Sequence, residues 1–185
     1  MHELACEDHD VEVVWRAFEP RPEPVATLDP GGEYLQRVWR DSVYPLSERL
    51  GVTMRLPPMQ PRSRRAHEAP RWARERGHFD EYPAAVFRAF FERGEDIGDV
   101  GVLMGLAQEL RLDGAALRSA LDRREYEGNV LADEREAEVL GIGGVPAFVA
   151  GRRVILSGVQ PVEDLKEVIA KVRENGPRNG RHKGE

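Results

Sequence analysis

Two short apolar runs late in the chain, Ala147 to Ala150 and Val154 to Leu156, flank a Gly-Arg-Arg turn. Apolar runs separated by a short glycine-containing turn predict a β-hairpin. Pro146 opens the first run, where the missing N–H of a proline costs least in a sheet. After Pro161, apolar residues recur at helical spacing and predict a closing helix. These residues are Val162, Leu165, Val168, Ile169 and Val172.

The segment from Val11 to Phe18 is rich in β-branched and aromatic residues and is apolar on both faces in its middle. This pattern predicts a strand buried on both faces, as in a mostly parallel sheet. Prolines between positions 20 and 30 then predict an extended crossing of the surface. A helix follows that ends near Gly51 and carries four apolar or aromatic residues. They are Tyr34, Leu35, Val38 and Trp39.

Residues 63–140 show helical periodicity almost throughout. Ser63, Asp99 and Asp113 precede the helical patterns as N-caps, and a last helix begins near Glu125. Pro70 lies inside the first pattern, where we expect it to kink or divide the helix. The residues predicted to face inward are Leu103, Leu106, Ala107, Leu110, Leu117, Leu121, Val130, Leu131, Ala137 and Val139.

An aromatic stripe runs through this helical region and is closed by Gly94. We interpret it as core, with one ring lining a substrate groove as the alternative. Its members are Tyr82, Val86, Phe87, Phe90 and Phe91.

Charge and composition exclude some classes of function. The 185 residues carry a net charge of −6 with both signs interspersed, which does not favour a nucleic-acid partner. The apolar runs are too short to span a membrane, and the first residues lack a secretory pattern. A single cysteine fits a reducing cytoplasm. Residues 176–185 are basic and without apolar residues, so we expect a disordered tail.

Three patterns resemble known sites only in part. The glycines from Gly141 to Gly144 follow a helix and precede a strand, which is the reverse of a dinucleotide loop. Cys6 lies between His2 and His9, but a charged terminus without a fourth ligand predicts no metal site. Six arginines favour a solvated helix face, with an anion site as the alternative. They are Arg62, Arg64, Arg65, Arg71, Arg74 and Arg76.

The segment from Gly144 to Phe148, followed by a glycine turn and by Leu156 to Pro161, resembles the C-terminal half of DsbA-type thioredoxin-fold proteins. Within them it is similar to the FrnE-like and 2-hydroxychromene-2-carboxylate isomerase-like branch. Residues 61–69 and 89–99 resemble that branch's inserted helices, and residues 11–18 resemble its second strand. The resemblance extends from about residue 3 to residue 172.

The resemblance implies an α/β fold, a thioredoxin-like sheet with an inserted all-helical subdomain. We expect residues 1–61 and 141–175 to form the thioredoxin-like part and residues 62–140 the inserted subdomain. In such proteins a cis-proline faces a Cys-x-x-Cys pair at a helix N-terminus, where the dipole stabilises the attacking thiolate. The resemblance therefore implies a cis bond before Pro146 and substrate contact at Gly144, Val145 and Pro146.

This chain departs from the family pattern because it contains no Cys-x-x-Cys. Its first residues match the end of the family's first helix, so we expect the first strand and the active-site turn to be missing. Without the first strand, the strands at Val11 and Ala147 would lack their shared neighbour in the sheet. We therefore expect that the true start of the protein lies upstream, or else that another chain closes the gap in the sheet. Cys6 matches neither cysteine of the motif, so we interpret it as a possible accessory thiol. We therefore predict no catalytic residue in this chain.

Three functions follow from the resemblance. The first is a disulfide oxidoreductase by ancestry that is inactive as written. The second is a glutathione-dependent isomerase or transferase of the same fold, which would make glutathione a cofactor where we otherwise predict none. The third is a non-catalytic module that binds extended peptides. The predicted partners are an extended peptide or a thiol-containing substrate, with no nucleic acid and no membrane, and a homodimer is compatible with the sequence.

Overall fold

The computed structural model describes residues 11–151 and 154–175. Contacts divide the chain into two compact units, one of residues 16–137 and the other holding the described residues before and after them. No helix in the described ranges is long and apolar enough to cross a membrane. The domain boundaries predicted from the sequence stay a prediction. The helices are α1 (Glu33–Val38), a π-helical turn (Trp39–Val43), α2 (Tyr44–Leu50), α3 (Arg64–Arg74), α4 (Glu81–Phe91), α5 (Val100–Glu109), α6 (Gly114–Asp122), α7 (Glu127–Val139) and α8 (Val162–Asn175), and the strands are β1 (Ala147–Ala150) and β2 (Val154–Ser157).

The unit of residues 16–137 is organised around one apolar core between α3, α4, α5 and α6. Alanines of α3 and α4 let the helices approach closely, and large side chains fill the remaining space. The buried hydroxyl of Tyr82 donates to the carbonyl of Leu103 at 2.7 Å, which satisfies both polar groups. The largest fully buried side chains are those of Trp72, Tyr82, Leu103, Leu106, Leu117, Leu121, Val130 and Pro57.

Two of the three predicted N-caps are confirmed. Asp99 accepts a hydrogen bond from the N–H of Gly101 at 2.5 Å. Asp113 accepts from the N–H groups of Ala115 and Ala116 at 2.9 and 3.1 Å. Ser63 makes no capping hydrogen bond, because its own backbone is already helical, with φ −91° and ψ −1°.

Pro70 was predicted to kink or divide its helix, and the division is wrong, while the kink stays a prediction. The helix α3 runs from Arg64 to Arg74 without interruption. Proline removes one helical hydrogen bond. The residues on both sides of it, Ala69, Trp72 and Ala73, are almost fully buried, and this packing offsets the loss.

The predicted helix before Gly51 is present but contains a wide turn. The N–H of Tyr44 donates to the carbonyl of Trp39, five residues earlier, which defines the π-helical turn Trp39–Val43. The Trp39 ring meets the Tyr44 ring edge-on with centroids 5.5 Å apart. Gly51 ends the helix in the left-handed conformation at φ +63°, as glycine allows.

The strand predicted over Val11 to Phe18 is wrong. These residues have no regular secondary structure, and Val14 and Trp15 are 50% and 60% exposed. A strand requires a neighbour, and within the described ranges no other strand pairs with this segment. The N–H of Ala17 instead donates to the side chain of Asp133 at 2.8 Å.

The predicted aromatic stripe is only partly core. Tyr82 and Val86 are buried, whereas Phe87 is 62% exposed and stacks on Phe91 with centroids 6.1 Å apart. The buried positions of α4 are Tyr82, Ala85, Val86 and Ala89, and Phe87 points about 100° away from Val86 on the helix. Val139, also predicted to face inward, is exposed at the end of α7.

The predicted hairpin and closing helix are confirmed in the other unit. The strands β1 and β2 pair antiparallel, with Ala147 opposite Ser157 and Ala150 opposite Val154. The helix α8 contacts β1. Gly151 turns the chain at φ +58°, and a Cβ there would come within 2.5 Å of Cγ1 of Val172.

Candidate functional site

The segment Gly144 to Pro146 leads into β1, and all three of its residues are exposed. Val145 is 56% exposed although it is aliphatic. The peptide bond between Val145 and Pro146 is cis, as predicted, and a second cis bond joins Glu23 to Pro24. The segment has no ionisable side chain, so it offers only backbone groups and apolar surface.

Pro146 is positioned by the residues that follow β2. The N–H of Gly158 donates to the carbonyl of Pro146 at 2.8 Å. Gly158 adopts φ +82°, and the side-chain amide of Gln160 donates to the carbonyl of Ser157 at 2.7 Å. Gly158 therefore holds the carbonyl of Pro146 in place, and Gln160 holds the adjacent end of β2. Neither residue was predicted to take part in this arrangement, although a glycine directly after an apolar run is a signal that could have indicated it.

Cys6, His2 and His9 lie outside the described residues, so the role of Cys6 as an accessory thiol stays a prediction. Among residues 11–151 and 154–175, no group of three or more histidine, cysteine or acidic side chains could hold a metal ion.

The unit of residues 16–137 contains a polar cluster built around Arg64 of α3. Its Nε lies 2.6 Å from Oε1 of the buried Glu19. Its two terminal nitrogens lie 3.7 Å from Oε1 of Glu127 and 3.9 Å from Oε2 of Glu134, both on α7. Arg64 therefore links its own helix, α3, to α7 and to the segment before α1.

Asp133 forms the neighbouring half of this cluster and is almost fully buried. It accepts from the N–H of Ala17, from Nη1 of Arg16 at 3.1 Å and from the guanidinium of Arg71. Such a set of donors stabilises a buried carboxylate.

The interpretation of the six arginines between Arg62 and Arg76 as a solvated face is wrong for Arg64 and Arg71, which are half-buried and paired with carboxylates. Arg62 donates to the carbonyls of Arg21 and Val25 at 2.9 and 2.7 Å. These contacts occupy three of the six arginines and leave little support for an anion site.

Glu134 and Glu19 form a carboxyl pair within the cluster. Burial, followed by the neighbouring carboxyl of Glu19, raises the pKa of Glu134 to about 7. The pKa of His67 on α3 is lowered, chiefly by burial, which favours the neutral ring. No sequence pattern predicted a role for Glu19, Asp133 or Glu134, because their partners lie far away along the chain.

Comparison with known proteins relates the chain to a family, to a curated protein and to solved structures. A family model described as the DSBA-like thioredoxin domain matches residues 1–170. An uncharacterized protein of Bacillus subtilis, YwbO, is 39% identical over 157 residues, which cover 83% of this chain and 78% of that protein. A crystal structure of a probable DsbA oxidoreductase from Streptomyces coelicolor superposes with a TM-score of 0.74 at 28% identity, covering 90% of this chain and 77% of the other.

Proposed function

Since the chain belongs to the DSBA-like thioredoxin domain family and has that thioredoxin-like α/β fold, we propose that it binds an extended peptide or thiol-containing substrate at Gly144, Val145 and Pro146. We further propose that these 185 residues by themselves perform no two-thiol disulfide exchange. Assignment to the FrnE-like branch and to the cytoplasm is part of the same proposal, and the single cysteine fits a reducing compartment.

The observation that carries the binding proposal is the exposed, uncharged segment before β1. An extended chain is recognised through main-chain hydrogen bonds together with apolar contacts. Gly144 and Val145 bring exposed backbone and an exposed aliphatic side chain to one place. The hydrogen bond from Gly158 fixes the carbonyl of Pro146, so this surface is ordered before a substrate arrives.

The cysteine count supports the absence of exchange activity. A dithiol–disulfide cycle requires an attacking thiolate and a second, resolving thiol. The chain has one cysteine, Cys6, and so supplies at most one of these groups.

Binding is tested by fluorescence anisotropy with a fluorescein-labelled, carboxymethylated insulin B chain, which has no free thiol. We expect Pro146→Ala to weaken binding at least about fivefold, equivalent to about 1 kcal/mol. Pro24→Ala is the matched control, because Pro24 is an exposed proline in the other unit. Circular dichroism checks that both variants are folded. Equal affinities for the wild type and the folded Pro146→Ala variant would remove this segment from the site.

Exchange activity is tested separately by the reduction of insulin in the presence of dithiothreitol. We expect the rate with this chain to equal the rate without protein, and Cys6→Ala to behave identically. Turnover comparable to that of thioredoxin would overturn the absence of exchange while leaving the binding proposal intact. Competition of the labelled B chain by glutathione would instead favour the glutathione-dependent function.

A further inference from the structure

Residues 16–19, which we call the latch segment, are fastened to α7 at their first two positions. Asp133 accepts a hydrogen bond from the N–H of Ala17 at 2.8 Å and another from Nη1 of Arg16 at 3.1 Å. Asp133 is almost fully buried, so these protein donors take the place of water around its carboxyl. The start of the latch segment is therefore held by one buried side chain of α7.

This attachment lies where the chain enters and leaves the unit of residues 16–137. The chain enters this unit at Arg16 and leaves it after residue 137, close to the end of α7. Besides its bond to Asp133, Arg16 places Nη2 3.7 Å from Oε2 of Glu136. The contacts of Arg16 therefore hold the entry and the exit of this unit side by side, and release of the latch segment would separate them.

The last residue of the latch segment, Glu19, meets a second carboxyl. The side chain of Glu19 is 3% exposed, and its Oε1 accepts from Nε of Arg64 at 2.6 Å. The same guanidinium lies 3.9 Å from Oε2 of Glu134. Glu127 lies 3.7 Å from this guanidinium as well, but it also pairs with Arg124 at 3.6 Å. Arg64 therefore balances at most one of the two charges that Glu19 and Glu134 would carry if both were ionised.

The surroundings of Glu134 favour its protonated form. Its Oε1 is buried and, among the described residues, has no hydrogen-bond partner. A buried carboxylate oxygen without a donor is costly, whereas a protonated carboxyl carries a donor of its own and no charge. Two neighbouring carboxyls beside one guanidinium favour the same state. The raised pKa of Glu134, about 7, agrees with this geometry.

The other ionisable groups around the latch segment act on it as well. His67 of α3 lies beside the backbone of Phe18, and its pKa is lowered, chiefly by burial, so the closed segment favours the neutral ring. Release of the segment would let this ring take up a proton below about pH 6.5, which opposes the effect of Glu134 in that range. The remaining charged groups of the cluster are Arg16, Arg64, Arg65, Glu68, Arg71, Arg124, Glu127, Asp133 and Glu136.

We propose that residues 16–19 form a proton-dependent latch, which stays closed on α3 and α7 while Glu134 is protonated and is released when Glu134 ionises opposite Glu19. The closed segment holds one proton that the open segment gives up to solvent. Through this carboxyl, opening becomes easier by about tenfold for each pH unit between about 4.5 and 7. Above about pH 7 it changes no further, because Glu134 is then ionised in both states.

Amide hydrogen exchange followed by NMR tests the latch at the N–H of Ala17, which donates to Asp133 in the closed segment. The opening constant of this amide, the measured exchange rate divided by the intrinsic rate, is compared between the wild type and Glu134→Gln from pH 5 to 8. The glutamine stays neutral and keeps a donor at every pH, and His67 contributes equally to both proteins. We expect the ratio of the wild-type to the variant opening constant to rise at least about thirtyfold over this range.

Two controls separate the latch from other effects of pH. Glu136→Gln removes a half-exposed carboxyl from the same helix, and its ratio to the wild type should stay constant with pH. The amide of Leu106 reports unfolding of the whole unit, because Leu106 is fully buried in the core. We expect Ala17 to open at least about tenfold more often than Leu106 at every pH, as a local opening requires.

Three results would overturn the proposal. Equal opening constants for Ala17 and Leu106 mean that the segment opens only when the whole unit unfolds, and this comparison needs no variant. A ratio of the wild type to Glu134→Gln that stays constant with pH means that Glu134 does not hold the latch. A rise of the same size in the ratio to Glu136→Gln means that the pH effect comes from the general charge of α7.

Discussion

At the residue scale, the chain keeps buried charges by bringing distant partners together. Asp133 and Glu134 are neighbours on α7, yet they meet opposite environments. Asp133 is surrounded by donors from Arg16, Ala17 and Arg71. Glu134 instead faces a second carboxyl, that of Glu19, and shares Arg64 with it. Asp133 therefore has hydrogen-bond donors for its oxygens, whereas Glu134 is favoured in its neutral form.

Glu134 should make stability depend on pH. Its pKa rises from 4.5 to about 7 in the folded chain, so the folded state holds this proton more tightly than the unfolded state. The stabilisation is fully present below about pH 4.5 and is lost as the pH rises through about 7. We expect Glu134→Gln, which stays neutral, to flatten this decline in the free energy of unfolding, measured by urea titration at several pH values.

The control for this prediction is Glu136→Gln, because Glu136 is half-exposed and lies 3.7 Å from Nη2 of the exposed Arg16. Its pH profile should follow that of the wild type. An identical decline in Glu134→Gln and in the wild type would show that the carboxyl pair does not hold the proton.

At the scale of elements, the sequence was sufficient wherever the determining contacts are local. The caps at Asp99 and Asp113 and the turn at Gly151 depend on residues within a few positions, and each was predicted. The segment Val11 to Phe18 was not, because a strand depends on a partner that no local pattern specifies. Its backbone instead meets Asp133, 116 positions away from Ala17.

The same distinction applies to the site. Gly144, Val145 and Pro146 were singled out from a contiguous motif, and the structure describes them as one exposed segment. The polar cluster of Glu19, Arg64 and Glu134 could not be assembled from the sequence, because charged residues are common and their pairing depends on the packing of α3 and α7.

Gly151 offers a test of the hairpin as an element. Its φ of +58° disfavours any other residue, and an added Cβ would lie 2.5 Å from Cγ1 of Val172 on α8. We therefore expect Gly151→Ala to lower the free energy of unfolding by about 1–2 kcal/mol. Chemical denaturation monitored by circular dichroism measures the change.

The substitution Gly128→Ala is the control, and we expect it to change the free energy of unfolding in the opposite direction. It lies within α7, and an added Cβ would meet no atom within 4 Å. Gly128→Ala should raise the free energy of unfolding by about 0.5–1 kcal/mol, because alanine loses less entropy in a helix. A stabilising effect of Gly151→Ala would show that the turn is not held in the left-handed conformation.

At the scale of the whole molecule, apolar burial is distributed very unevenly between the two units. Of the buried hydrophobic residues in the described ranges, all except Leu165 lie between residues 16 and 137. A fragment of residues 16–137 should therefore fold by itself, since it holds the apolar surface that drives folding. We expect a helical circular dichroism spectrum and a cooperative thermal transition from this fragment. A fragment of residues 138–185 is the control and should show neither.

The wide turn at Trp39–Val43 has a consequence for the chain lengths that this fold accepts. Ser47 is buried eight positions after Trp39, and a regular helix would rotate it about 80° away from that side chain. The π-helical turn absorbs one extra residue, so the misalignment falls to about 20°. Deletion of one residue between positions 40 and 43 would restore a regular helix and still bury the same face. A homologue one residue shorter at this point would need no compensating change elsewhere, whereas the same gap within α3 or α4 would turn the rest of that helix out of register with the core.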